Sequence, residues 1–186
     1  MAKRPGLSEV KVVDAAAAMI NREGVENLSL ANLAKHFKVK PPSLYNHIDS
    51  LDALKRALAI RGIRELTTIG QKAALGRAGF DALTCMARAY RDFAKRSPGL
   101  YALTQQAHDT ADEELKQAAQ ETAEVFLGVL RAYGLSDEDA LHAVRCVRSS
   151  LHGFALLETS GGFGLSLEVD ESFERLLLLL DAGLRR

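Results

Sequence analysis

Apolar side chains recur every three or four residues along nearly the whole chain, the spacing that lays a single stripe down an α-helix. Val10, Val13, Ala17 and Ile20 set the first stripe. Ser8 precedes it as an N-cap, because its hydroxyl accepts from an orphan amide one turn on, and Gly24 offers the stop. Ser29 opens a second, shorter helix whose Leu30, Leu33, Ala34 and Phe37 share a face. Pro41 and Pro42 do not fit a helix interior but suit a first turn, where the missing N–H is no loss. Residues Ser43 to His47 therefore read as a third short helix. Ser50 caps a fourth, with Leu51, Leu54, Leu58 and Ile63 on its stripe, which runs toward a weakly structured region between Gly70 and Gly79.

Past Gly79 the helices lengthen. Asp81 to Lys95 carries Leu83, Met86, Ala87, Tyr90 and Ala94; Ser97-Pro98-Gly99 breaks it, and a short turn over Leu100–Thr104 follows. Asp112 to Tyr133 ends at Gly134, and Ser136 with three acids behind it opens a helix that reaches Glu158. After the loop Gly161–Gly164, Asp170 caps a last helix striped by Phe173, Leu176, Leu177, Leu180 and Leu184 and widened by Leu178 and Leu179. That stripe exceeds what one helix buries in its own subunit, so it reads either as a central core helix or as a self-association face. Strand-like alternation is missing. The expected class is all-α, with a three-helix helix-turn-helix head and a C-terminal helical bundle.

Composition changes the picture in two places. Among 186 residues the 24 Lys+Arg and 24 Asp+Glu cancel, which argues at first against a nucleic-acid partner. Divided after Arg61, the first part holds ten cations against six acids and the rest fourteen against eighteen. A basic head on an acidic body suits phosphate binding, since affinity comes from counterions released at the contacts and not from total charge. Cys85 and Cys146 lack C-x-x-C spacing, which disfavours a disulfide scaffold or a cysteine zinc site. The apolar runs are far short of the ~20 residues that span a bilayer, and the start has no secretory apolar core. A soluble, cytoplasmic protein without metal or cofactor is expected.

The informative stretch is S-L-A-N-L-A-K-H-F-K-V-K-P-P-S-L-Y-N-H-I-D-S, from Ser29 to Ser50. Two short helices joined by a turn follow the helix-turn-helix plan, in which the second enters the DNA major groove. Lys40, Pro41, Pro42, Ser43, Tyr45, Asn46 and His47 lie at or near its leading end. They offer a cation, a flat apolar surface for thymine methyls, hydroxyls and an amide able to read adenine. Ser29 and Lys55 complete the candidate DNA-binding set.

The pattern L-A-x-x-F-x-V-x-P-P-S-L-Y-x-H resembles the DNA-binding domain of the TetR family of bacterial transcriptional regulators, over roughly residues 8–60. The resemblance implies that Tyr45 and His47 contact backbone phosphate while the third helix reads bases. A-Y-R-x-F-A-x-x-x-P-G-L-Y, from Ala89 to Tyr101, then His152-Gly-Phe and Gly161-Gly-Phe-Gly, are similar to a TetR subclass named for a Trp-His-Gly motif. Three positions depart. Lys38 stands at the turn position that is usually Gly, where a left-handed backbone costs a non-Gly residue about 1–2 kcal/mol. Leu51 replaces the family's phosphate-anchoring Lys at the start of the fourth helix, with Lys55 one turn on, and Leu151 replaces the Trp.

Other chemistry is sparse. His36, His108 and His142 have no partner at metal-ligand spacing and read as surface residues. His152 reads mainly as a hydrogen-bonded core histidine, with a ligand contact as the second reading. Ser149 lies near it at helical spacing, but no oriented Asp or oxyanion loop accompanies the pair, which disfavours a hydrolase triad. No strand precedes Gly161–Gly164, so a dinucleotide site is disfavoured.

These readings combine into an expected regulator, not an enzyme. Residues 1–50 would bind DNA, 51–79 would link, and 80–186 would hold effector and dimerise. Met86, Tyr90, Phe93, Tyr101, Thr104, Phe126, Leu130 and His152 are the candidate lining of an apolar effector pocket between body helices. The partners would be a palindromic double-stranded operator, a small apolar effector that releases the repressor from it, and a second copy of the chain, with no membrane. The competing reading is a helical small-molecule-binding protein or enzyme whose N-terminal helices only pack.

Overall fold

The computed structural model describes residues 7–106 and 111–185, and among these every regular element is helical. His108 lies outside the described residues. The α-helices are α1 (Glu9–Glu23), α2 (Leu30–Phe37), α3 (Leu51–Ala74), α4 (Gly79–Arg96), α5 (Pro98–Thr104), α6 (Glu113–Leu130), α7 (Asp137–Thr159) and α8 (Val169–Leu184). Short 3-10 turns sit at Val25–Asn27, Pro41–Leu44 and Arg131–Tyr133.

Local chemistry explains most of the boundaries. The hydroxyls of Ser8, Ser29, Ser50 and Ser136 accept from the amides of Lys11, Asn32, Ala53 and Asp139, and the Asp112 carboxylate accepts from Leu115. Each bond satisfies one of the orphan donors of a first turn. Gly24 and Gly134 stop their helices at φ +88° and +68°, where a side chain is disfavoured. Four expectations shift. The third helix is a 3-10 turn at Pro41–Leu44 followed by irregular turn, its Ser43 and His47 amides donating three residues back to the Lys40 and Leu44 carbonyls at 2.9 Å. The fourth helix, α3, continues to Ala74, through much of the region expected to be weak. Val10, expected on the buried stripe of α1, is 69% exposed, and Val12, Ala16, Ala17, Met19 and Ile20 form the buried face. The last helix begins at Val169, and Asp170 pairs with Arg91 instead of capping it.

The chain divides into two compact units. The first comprises residues 7–63 together with 97–106. Its core gathers Val12, Ala16, Met19, Ile20, Leu28, Leu33, Leu44, Leu54 and Leu58 with Leu100 and Leu103 of α5. α5 therefore packs on α1, although the sequence division placed it with the body. Two glycines permit this. A Cβ at Gly99 would stand 2.3 Å from the Ile20 carbonyl oxygen, and one at Gly62 would stand 3.1 Å from that of Leu100. The Asn21 side-chain oxygen accepts from the Leu100 amide at 3.0 Å, satisfying a donor at the start of α5.

The second unit comprises residues 64–96 and 111–185. Its helices bury Leu83, Met86, Tyr90, Phe93, Leu115, Phe126, Leu130, Val147, Leu151, Phe173 and Leu177. Arg91, 9% exposed, ties three of its segments together. Its guanidinium forks onto Glu158 at 2.6 and 2.7 Å, reaches Asp170 at 2.7 Å and lies 4.7 Å from the centroid of the Phe173 ring. Among the described residues no helix is long and apolar enough to cross a membrane, and no cluster of His, Cys, Asp and Glu is fit to hold a metal.

Candidate nucleic-acid interface and body cavity

The turn after α2 is built by backbone bonding. The Val39 amide donates to the Ala34 carbonyl at 3.0 Å and the Lys38 amide to that of Lys35 at 3.2 Å, the paired bonds of a Schellman end. Such an end demands a left-handed residue, and Lys38 supplies it at φ 56°, ψ 41°, the one positive-φ residue other than glycine among those described. The expected turn geometry is therefore kept at the strained position, at a cost of about 1 kcal/mol.

From this turn the chain re-enters the unit through Leu44 and Ile48, both buried. Anchoring those two leaves the intervening residues outward. Lys40, Pro41, Pro42, Tyr45 and Asn46 are exposed, Tyr45 by 56%, while Ser43 and His47 are half-buried. Tyr45 combines an apolar ring with a hydroxyl donor, and its outward place between two buried aliphatics suits a contact face. Ser29 spends its hydroxyl on the α2 cap, which aims that helix start outward. Lys55 is half-buried on α3, one turn after Leu51. The predicted DNA-binding residues thus fall on one short stretch, with Ser29 and Lys55 on the flanking helices. Sequence reading passed over Lys35 and Lys38, which add cations at the end of α2; the signal was the run of basic residues from Lys35 to Lys40.

In the body, three of the predicted pocket residues come together. Met86, Tyr90 and Phe126 surround a cavity of about 10 Å³ with Leu66, Thr67, Gly70, Thr122 and Val125. Thr67 and Thr122 share a hydroxyl hydrogen bond of 2.7 Å at this cavity, its polar element. Phe93 and Leu130 are buried in the same unit but do not line it. Tyr101 and Thr104 sit on α5 in the first unit, where Thr104 donates to the Tyr101 carbonyl at 2.7 Å. His152 is half-buried on α7; burial, with the nearby Arg148 charge, lowers its pKa below the ordinary 6.5. Ser149 donates back to the Arg145 carbonyl at 2.6 Å, so its hydroxyl is engaged with its own helix. His36 and His142 are exposed, as expected.

The geometry defines a class: a helix-turn-helix unit with the edge Lys40–His47 outward, continuous through α3 with an all-helical body. The profile described as bacterial regulatory proteins, tetR family, matches residues 12–58, and that of the tetracyclin repressor-like C-terminal domain matches residues 83–180. An uncharacterised HTH-type transcriptional regulator of Mycobacterium tuberculosis, Rv0681, is 38% identical over 100% of this chain and 85% of its own. Another from Bacillus subtilis, YobS, is 38% identical over 92% of this chain and 90% of its own. A solved variant of TetR from Acinetobacter baumannii, in complex with minocycline, shares 25% identity at a TM-score of 0.71, covering 96% of each chain. The chain belongs to the TetR family of DNA-binding transcriptional regulators.

Proposed function

We propose that this regulator is a homodimeric cytoplasmic repressor, without catalytic activity, that a small apolar effector releases from a palindromic operator. The observation that carries the reading is the outward edge Lys40–His47 held over buried Leu44 and Ile48. Pro41 and Pro42 pre-set its backbone, so little conformational entropy is lost when it docks. Tyr45 and His47 hold phosphates, and Ser43 and Asn46 face base edges.

Dimerisation is assigned to α7 and α8. Leu141, Leu156 and Leu157 on α7 and Leu178 and Leu179 on α8 are exposed by about half or more. A cleft of about 500 Å³ lined by Leu135, His142, Cys146, Leu179 and Leu180 lies between these helices. A second copy covering this face forms a four-helix bundle and sets two reading edges about one DNA turn, ~34 Å, apart. Effector binding is assigned to the Met86–Tyr90–Phe126 cavity. At its present size it holds about one water, so an effector selects a conformer in which it is wider. Leu66, Thr67 and Gly70 lie on the same continuous helix as Leu54 and Leu58, which makes α3 the element displaced. The minocycline complex of the A. baumannii relative supports a small molecule as the effector.

The test pairs two head variants with sedimentation. Tyr45→Phe and His47→Ala are expected to weaken binding to duplex from the gene's own upstream region while sedimenting as dimers. Wild-type DNA affinity in both variants overturns the placement of the edge, and a monomer at micromolar concentration overturns the dimer.

A further inference from the structure

Most described cations of the body are paired, apart from the exposed and sequence-scattered Lys72, Arg131 and Arg145, whereas the head carries a short run of unpaired lysines. In the body Arg64, Arg77, Arg88, Arg91, Lys95, Lys116, Arg175 and Arg185 each form an ion pair. In the head Arg22 and Arg61 do so as well. Lys35, Lys38 and Lys40, by contrast, are exposed, and their side chains have no hydrogen bond or ion pair with any described residue. These three lie within six residues of sequence, on the turn that leads directly into the reading edge. No acid lies between Glu26 and Asp49 to neutralise them.

One of the three is placed against its own backbone preference. Lys38 occupies the left-handed C′ position of α2, where glycine is the residue of least strain. Nothing in the packing asks for a side chain there, because the Lys38 side chain is exposed and bonds to no described residue. Backbone strain that the local fold does not need points to a function carried by the side chain. Meanwhile the start of α3 carries Leu51 and offers no cation to a phosphate.

We propose that Lys38 is a phosphate anchor of the DNA interface, retained at a strained turn because its ammonium contacts the duplex backbone beside the edge Lys40–His47. The inference rests on the DNA-binding reading and adds a residue to it. The Schellman turn fixes the backbone from which the flexible Lys38 stem reaches, so meeting a phosphate orders one side chain and no loop. Lys35 and Lys40 extend the same cationic strip, and Lys38 lies at its centre.

The experiment measures how affinity for a 30-base-pair mixed-sequence duplex depends on salt, because non-specific binding is nearly all counterion release. Wild type is compared with Lys38→Gly, Lys38→Asn and Lys38→Arg, and with Lys72→Ala as a control on exposed α3. Gly relieves the strain and removes the charge, Asn tolerates the left-handed region without charge, and Arg keeps both charge and strain. The log–log slope of Gly and Asn should fall by about one, with affinity about tenfold weaker at 50 mM salt and about 2.5-fold weaker at 200 mM. The Arg and Lys72→Ala proteins should keep the wild-type slope. The Gly variant should also melt a few degrees higher, a gain in stability accompanied by a loss of binding. Gly and Asn variants that bind with the wild-type slope overturn the proposal and leave the DNA-binding reading standing. A wild-type protein with no salt-dependent DNA affinity overturns both.

Discussion

The head and the body use the same side-chain chemistry for opposite ends. The body closes most of its cations on its own carboxylates: buried Arg91 pairs with Glu158 and with exposed Asp170, and Arg88 forks onto Glu174 at 2.8 and 2.9 Å. The head leaves Lys35, Lys38 and Lys40 open to solvent and accepts a left-handed lysine to do so. A net charge of zero conceals this division, because it counts charges and not their partners. What separates the two units is that the head gathers Lys35, Lys38 and Lys40 in one short run, whereas the unpaired cations of the body, Lys72, Arg131 and Arg145, lie far apart in sequence.

The contrast can be broken first in the body. Glu158→Ala leaves Arg91 in the core with Asp170 as its remaining carboxylate, and removal of one partner of a buried pair is strongly destabilising. A loss of about 3 kcal/mol in denaturant unfolding is expected. Its counterpart in the head, Asp14→Ala, breaks an exposed 2.6 Å bridge to Arg61 and should cost less than about 1 kcal/mol. Equal costs would show that the buried and exposed bridges do not differ as described.

The next effect lies in the packing of the head. Gly99→Ala pushes a methyl toward the Ile20 carbonyl, where the neighbour is backbone and cannot swing away. Overpacking of this kind costs about 1–3 kcal/mol, and hydrogen exchange should report faster opening of α1. Unchanged protection there would show that α5 is not fixed on α1.

The smallest effect is a dependence on pH, and it belongs to the body. Burial lowers the His152 pKa below 6.5, so the unfolded chain takes up its proton first and stability falls as pH drops through and below 6.5. Glu158 is held below its ordinary 4.5 by hydrogen bonds from Arg91 against the opposing effect of burial, with Lys95 adding to it. Its contribution is present above 4.5 and is lost as pH falls further. Melting temperature should therefore decline in two acid steps; His152→Gln removes the upper one and Glu158→Gln the lower. An upper step that survives His152→Gln assigns it to another group.

Features set by neighbours in sequence were legible in advance. Ser8, Ser29, Ser50 and Ser136 cap helices because a cap needs only the amide three residues on. The tight turn at Pro41-Pro42 was legible for the same reason, whereas the burial of Ile48 that helps hold the edge outward appears only in the structure. Features set by long-range packing were not. Nothing near Gly99 announces that Ile20 will approach it, and Arg91 meets Glu158 and Asp170 across 67 and 79 residues. Tyr101 and Thr104 were grouped with the effector pocket because they follow α4 in sequence, whereas the Gly99 approach packs their helix on α1. Lys38 lies between these cases: its left-handed turn follows from position in the motif, but the lack of partners appears only in the structure.

The most direct measurement is the affinity of the full chain for duplex from its own upstream region, titrated at several salt concentrations beside a scrambled duplex of equal length. The account predicts tighter binding to one upstream segment and a log–log slope of several units for both, as an interface of several phosphate contacts requires. No binding to any upstream fragment at 50 mM salt, or an affinity that salt does not change, would contradict it.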